Sequence, residues 1–235
     1  MTKATIITVI ANLIIGILIG FIQKDVWKIK TWKYFIITPL LNLSGILGAK
    51  TASWIAYGRF SGTRLYGSVL AVGIALSIIA IMLCIPYKEM YGFGGVVMWK
   101  SVAVTKVGCI IDGCCAGRVL YVNSSGKEVL FPSQIVETVV AALFFIWFFN
   151  LAKTKYLHSA LYPLFMTWYG IYRYLADWMR GHPLEQSPFV LWIPAGRFFS
   201  ILIFIIGIIS LYLVLNKEYG KKLTYKVFAK ALIGK

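Results

Sequence analysis

Acid is scarce in this chain. Eight carboxylate side chains stand against 24 Lys and Arg in 235 residues, beside two histidines and four cysteines. Polar stretches are scarcer still. Apolar residues make up 60% of the sequence, charged residues only 14%, and the mean hydropathy is +0.79. No segment is both long enough and polar enough to fold as a water-soluble domain, which places the chain among polytopic membrane proteins. The formal charge of +16 therefore has no soluble basic face to sit on, and nucleic acid is excluded as a partner. Cys84, Cys109, Cys114 and Cys115 are too few and too unevenly spaced for a disulfide framework. Gly92, Gly94 and Gly95 lack the Lys-Ser/Thr and preceding strand of a phosphate loop.

What the sequence does contain is long apolar runs. Seven of them reach the roughly 20 residues that cross a bilayer, at about 4–22, 34–57, 65–86, 94–112, 132–151, 158–179 and 194–215. The reading is one all-α membrane domain over 1–235, ending in a basic tail at 216–235. No A-x-A cleavage pattern follows the first run, so it is read as a retained helix. Its Gly16-x-x-x-Gly20 spacing suits close helix packing. The second run, with Pro39, Asn42, Ser44, Gly45 and Gly48, is expected to kink or turn back. The fourth carries Lys100 and Lys106, which need partners at that depth.

Lys24, Lys28, Lys30 and Lys33 follow the first run, and Lys217, Lys221, Lys222, Lys226, Lys230 and Lys235 fill the tail. The positive-inside rule puts both regions in the cytoplasm and the amino terminus outside. The tail is expected to lie on anionic lipid. With that orientation almost every intramembrane ionisable group gathers at the outer leaflet. Lys50, Arg59, Arg64, Lys106, Arg118, Arg173, Arg180 and Arg197 stand there against Asp112, Glu137 and Asp177. Pro132 suits a first helical position, which sets Glu137 about 7–8 Å into its helix. Arg173, Asp177 and Arg180 share a face through i, i+4 and i+7 spacing. Such a cationic excess at bilayer depth calls for an anion, and a phospholipid phosphate is the one available there. His158 and His182 fall on opposite sides of the membrane, so with three cysteines near the site and four ligands needed, no metal and no cofactor is expected.

The segment Lys106–Glu137 is identified as the site, and its motifs resemble those of the prolipoprotein diacylglyceryl transferase family. The family's Arg-Ile-Gly-Asn signature with its later glycines reads here as Lys106-Val107-Gly108-Cys109, Asp112-Gly113-Cys114 and Gly117-Arg118. Its Pro-Ser-Gln-Leu-Tyr-Glu segment is similar to Pro132-Ser133-Gln134-Ile135-Val136-Glu137. A Tyr-Gly-x-x-Arg helix is matched by Tyr169-Gly170-Ile171-Tyr172-Arg173, followed by Asp177 and Arg180, and a late Gly-Gln-x-x-Ser by Gly196-Arg197-Phe198-Phe199-Ser200. The likeness runs from about Gly48 to Ser200. Lys106, Cys109 and Cys114 stand where the family has Arg, Asn and Glu, and Tyr66 where it has His.

The resemblance implies a bacterial plasma-membrane enzyme. It would move a diacylglyceryl group from phosphatidylglycerol to the cysteine thiol of a prolipoprotein signal peptide. A paralogue with another acceptor or lipid, and a non-catalytic headgroup binder, stay open. In that frame Arg173, Glu137 and Tyr66 are the expected catalytic residues. Lys106, Arg118, Arg180, Arg197 and Lys50 are expected on the lipid phosphate, with Asp112 pairing with Lys106 or Arg118. Cys109, Cys114 and Cys115 are read as small residues allowing a tight turn beside Gly113 and Gly117. A Cys109–Cys114 disulfide and a reactive thiolate are the alternatives.

Overall fold

In hydrocarbon a backbone has no water to bond, so long apolar runs must satisfy themselves as helices. The computed structural model describes residues 3–57, 65–115, 117–180, 189–190, 193–220 and 225–233. Among them run α1 (Lys3–Ile22), short α2 (Lys24–Trp27), α3 (Tyr34–Tyr57), α4 (Leu65–Met82) and α5 (Tyr87–Ile111). A hairpin of β1 (Val119–Val122) and β2 (Glu128–Leu130) follows, then α6 (Ser133–Leu151) and α7 (Leu161–Met179). The two-residue strands β3 (Phe189–Val190) and β4 (Ile193–Pro194) precede α8 (Ala195–Tyr219) and α9 (Tyr225–Leu232). Arg59, Arg64 and His182 lie outside the described residues.

Six helices, α1, α3, α4, α5, α6 and α8, are long and apolar enough to cross a membrane. The chain is thus a mostly helical, multi-pass membrane protein. Stripes at helical spacing, such as Ile74, Ile78 and Ile81 on α4 and Ile201, Ile205 and Ile209 on α8, are left exposed on the bundle's outside. Helix α7, the sixth run of the sequence, is not among the six. Arg173, Asp177 and several tyrosines lower its hydropathy, and the bundle compensates by enclosing it. Tyr162, Phe165, Tyr169 and Ala176 are buried, and α7 packs along α8 and across α5. A polar helix is tolerated at this depth when other helices surround it.

Gly16 and Gly20 let α1 close on α3, since a side chain there would meet Thr38 and the Tyr34 ring at 2.6 and 2.5 Å. Helix α3 runs without a break from Tyr34 through Pro39 to Tyr57, so the expected re-entrant turn does not form. Lys100 finds its partner in α1, where its Nζ donates to Asn12 O at 2.8 Å and to Asn12 Oδ1 at 3.0 Å. At the other end of α5, buried Glu89 pairs with His158 Nδ1 at 3.1 Å. The tail is not simply spread on a surface: Trp168 Nε1 of α7 donates to Leu232 O at 2.9 Å, and Ala231 is buried. Below the site, Trp99 of α5 stacks on Phe144 of α6 at 4.3 Å and meets Tyr172 of α7 edge-on at 5.6 Å. These rings fix the three helices that carry the site.

Candidate active site

Glu137 is the centre. It sits in the first turns of α6, fully buried, where a lone carboxylate would be costly. Two cations from neighbouring helices compensate it. Lys106 Nζ, from the last turns of α5, lies 2.5 Å from Oε2. Arg180, at the end of α7, donates Nε to Oε1 at 2.9 Å and Nη2 to Oε2 at 2.7 Å. This two-pronged contact is the geometry in which Arg holds a carboxylate most firmly. The Tyr172 hydroxyl adds donations to Glu137 O at 3.2 Å and to Oε2 at 3.4 Å. Around this carboxylate the balance is two positive charges to one negative.

Two turns back on α7, Arg173 Nη2 meets Asp177 Oδ1 at 3.0 Å. Among the described residues, Arg173 Nη1, Arg197 Nε and the Tyr169 hydroxyl are buried without a hydrogen-bond partner. Buried donors of this kind are rare unless something polar is meant to meet them. The Arg197 guanidinium stacks over Trp178 at 4.0 Å, which steers the cation without neutralising it.

The polar loop is tied down from both sides. Gly117 bridges to Arg180, Arg118 N donates to Met179 O at 3.1 Å, and Phe131 N donates to Arg118 O at 2.9 Å. Only glycine fits at 117, because a side chain would lie 1.9 Å from Phe131 O. From α6, Ser133 Oγ donates to Cys115 O at 3.0 Å and Gln134 Nε2 donates to Cys114 O. Gly113 and Cys115 take left-handed φ values of 64° and 61°, so the turn doubles back on the end of α5. The sulfur atoms of Cys109, Cys114 and Cys115 consequently all lie within 4.8 Å of one another. All three are free thiols, so the Cys109–Cys114 disulfide is not formed. The Cys115 thiol is brought down to about 5 by a hydrogen bond from Cys109 and by the charges of Arg180 and Lys106, against the effect of burial. Burial pushes the Cys114 thiol up.

A cavity of about 250 Å³ runs beside the cluster, walled by α1, α3, α4 and α5, with Tyr169 of α7 at its side. Along α5 its lining extends from Asp112 to Gly94, about 27 Å at 1.5 Å per residue. That is close to the thickness of a bilayer's hydrocarbon core, about 30 Å. Cys109 and Cys114 line it at the Asp112 end. Helix phase makes the junction: residue 109 faces the cavity while residue 106, one turn earlier, faces Glu137.

The expected residues therefore divide. Lys106, Glu137 and Arg180 meet in one cluster, with Asp177 one turn and Arg173 two turns back along α7. Gly108, Cys109, Asp112 and Cys114 border the cavity, and Gln134 braces the turn. Lys106 is turned toward Glu137, and Asp112 is exposed at the end of α5. Arg118 holds the loop through its backbone while its side chain is exposed. Tyr66 is buried on α4 and stacks on Phe199 at 4.4 Å, and Lys50 is half-buried on α3. Sequence reasoning missed Tyr172, Tyr169 and the slot. Tyr172 precedes Arg173 directly, and its i, i+4 relation to Ala176 on the buried face was the available signal.

The sequence model of a family described as prolipoprotein diacylglyceryl transferase matches residues 5–213. The chain is 27% identical over 209 residues to the phosphatidylglycerol–prolipoprotein diacylglyceryl transferase of Dehalococcoides mccartyi, covering 78% of this chain and 71% of that protein. Proteins of the same name from Clostridium tetani and Ehrlichia ruminantium are 27% and 32% identical over 116 residues, 44% of this chain and 44% of each relative.

Proposed function

Because the chain belongs to the prolipoprotein diacylglyceryl transferase family, we propose that it moves the diacylglyceryl group of phosphatidylglycerol onto the cysteine thiol of a prolipoprotein signal peptide, releasing glycerol phosphate. The observation that carries this reading is the Glu137 cluster, with its surplus positive charge, at the head of a slot about as long as a bilayer's hydrocarbon core is thick. The slot takes the lipid's tails out of an equally apolar bilayer interior, so its part is to position the lipid by close packing. The phosphate then lies where Arg173, Arg180 and Lys106 gather.

In this reaction the thiolate sulfur attacks the glyceryl carbon next to the phosphate. The C–O bond breaks and the electron pair leaves on the phosphate oxygen. Charge grows on that oxygen in the transition state, so fixed cations there lower the barrier. Both carboxylate oxygens of Glu137 are engaged by Arg180 and Lys106, which places it poorly for a base. Its part is to aim Arg180 and Lys106. Arg173 Nη1 and Arg197 Nε, which have no hydrogen-bond partner among the described residues, are offered to the phosphate. Lys50 and Arg118, nearer the rim, attract the anionic headgroup, and Tyr66 packs the α4–α8 wall of the site.

The arrangement in the membrane follows from the same reading. With α7 as the enclosed seventh crossing, the amino terminus lies outside a bacterial plasma membrane and the tail in the cytoplasm beside anionic lipid. The lysines between α1 and α3 then fall on the cytoplasmic side, as the positive-inside rule asks. The Glu137 cluster opens to the outer leaflet, where a signal-peptide cysteine would emerge.

The test is direct. Purified chain in detergent, given phosphatidylglycerol and a lipobox peptide, should release glycerol phosphate and add one diacylglyceryl mass to the peptide. Release without peptide modification would point to another acceptor. Neither signal, with lipid bound, would make the chain a headgroup-binding protein.

A further inference from the structure

We propose that Cys109, Cys114 and Cys115 form a three-thiolate zinc site whose fourth position takes the acceptor thiol, an inference whose catalytic half rests on the transfer reading above. Three sulfurs within 4.8 Å of one another are an unusual possession for a chain with four cysteines. A disulfide would use two of them and strand the third; a metal ion uses all three. Zinc–thiolate bonds of about 2.3 Å at tetrahedral angles set neighbouring sulfurs about 3.8 Å apart. The cluster therefore needs to contract by no more than about 1 Å. The backbone is shaped for it: left-handed φ at Gly113 and Cys115 folds residues 114 and 115 back over Cys109. The carbonyls of Cys114 and Cys115 are each held from α6, by Gln134 and Ser133. Such outer contacts are how proteins fix the orientation of metal ligands.

Among the described residues no fourth His, Cys, Asp or Glu joins the group. Three protein ligands and one open position is the pattern of catalytic zinc, where a fully ligated site would be structural. Charge favours it too. Three thiolates on Zn²⁺ leave one net negative charge and a fourth thiolate leaves two; the surplus cation of the Lys106–Arg180–Glu137 cluster lies next to them. The position is apt, because Cys109 and Cys114 line the slot at its headgroup end.

The step balances without redox change. The acceptor S–H loses its proton to water as its sulfur enters the fourth position. That sulfur forms the S–C bond to the glyceryl carbon, and the C–O bond breaks toward the phosphate. The product thioether is a poor zinc ligand and leaves.

Metal binding is measured first, with no lipid or peptide present. Purified under reducing conditions and dialysed against Zn²⁺, the full chain should retain about one zinc. Cys109→Ser, Cys114→Ser and Cys115→Ser should each weaken binding at least about tenfold, while Cys84→Ser should not. Helical circular dichroism and elution volume check that each variant is folded, and wild type with alkylated thiols gives the same readout without a mutation. Co²⁺ should give thiolate charge-transfer and tetrahedral d–d bands that shift when a lipobox cysteine peptide, but not its serine analogue, is added. No zinc retained, zinc retained equally by all three variants, or octahedral cobalt overturns the site. Two disulfide-bonded cysteines in the freshly isolated protein overturn it as well. A cobalt spectrum blind to the peptide, or full transfer by stripped protein, overturns the open position. Thiolate-bound cobalt that senses the peptide, with no transfer by the zinc form, instead overturns the transfer reading and leaves the site standing.

Discussion

Arg180 grips Glu137 with two parallel hydrogen bonds, 2.9 Å from Nε and 2.7 Å from Nη2, joining the C-terminal end of α7 to the first turns of α6. The residues are 43 apart in sequence, so the contact sets the mouth of the bundle as well as the site's charge. With Lys106 it makes a three-membered ion cluster in which no member is satisfied without the others.

Removing the carboxylate should therefore be worse than removing the cluster. Glu137→Gln leaves Lys106 and Arg180 buried beside each other, and breaking a buried pair by one partner costs about 3–5 kcal/mol. Adding Lys106→Met should restore a large part of that stability, since an apolar replacement of a buried pair is often neutral. Transfer should stay at least tenfold down in the double variant, because phosphate has lost a cation. Thermal unfolding in detergent and the peptide-mass assay separate the two effects. Equal recovery of both would remove Lys106 from the chemistry.

The slot makes a prediction about the lipid alone. Ser101 lines it about midway along α5, and Ser101→Trp should fill it there. The kcat/KM for long-chain phosphatidylglycerol should fall at least tenfold, with the KM for peptide unchanged. A dihexanoyl lipid, too short to reach residue 101, should be transferred as well by the variant as by wild type. A loss shared by both lipids would show that the tails lie elsewhere.

Much of this was legible in the sequence because hydrocarbon leaves so few choices. Apolar runs fix the helices: α3 begins and ends where its run does, and α6 starts at Ser133 just after Pro132. Three members of the site, Lys106, Glu137 and Arg180, were readable as charges too costly to bury without purpose. Who pairs with whom was not. Lys106 lies six residues from Asp112 and 31 from Glu137, and only the crossing of α5 on α6 decides for the distant partner. The slot was illegible for a related reason. Its walls come from four helices, and no one of them carries a pattern that differs from ordinary packing. The thiol cluster depended on two left-handed residues, one of them Cys115, which sequence preference would not assign to that conformation.

The returning tail should be dispensable for chemistry but not for robustness. Trp168 Nε1 donates to Leu232 O at 2.9 Å, and a single neutral hydrogen bond is worth about 1 kcal/mol. Trp168→Phe keeps the ring contacts and should cost about that much in unfolding free energy. Ending the chain at Tyr219 should cost more, because Ala231 and Leu232 also leave the core. Both should transfer lipid at wild-type rate below their unfolding temperatures. A rate loss in either would tie the carboxy-terminal tail to the site.

The sharpest pH prediction concerns Cys115. Its thiol is held near about 5 by the Cys109 hydrogen bond, with Arg180 and Lys106 adding positive charge. Only the thiolate alkylates, so in metal-stripped protein iodoacetamide should label Cys115 at an unchanged rate from pH 8 down to about pH 6. The rate should then fall by half near about 5. Arg180→Gln removes one of the stabilising charges, so the midpoint must rise and the rate at pH 6 must drop while that at pH 9 holds. Peptide mass mapping assigns the label to Cys115 and not to Cys114, whose thiol is shifted the other way. A midpoint unmoved by Arg180→Gln would mean that the cations do not act on this sulfur. The thiol turn and the Glu137 cluster would then be neighbours without electrostatic coupling.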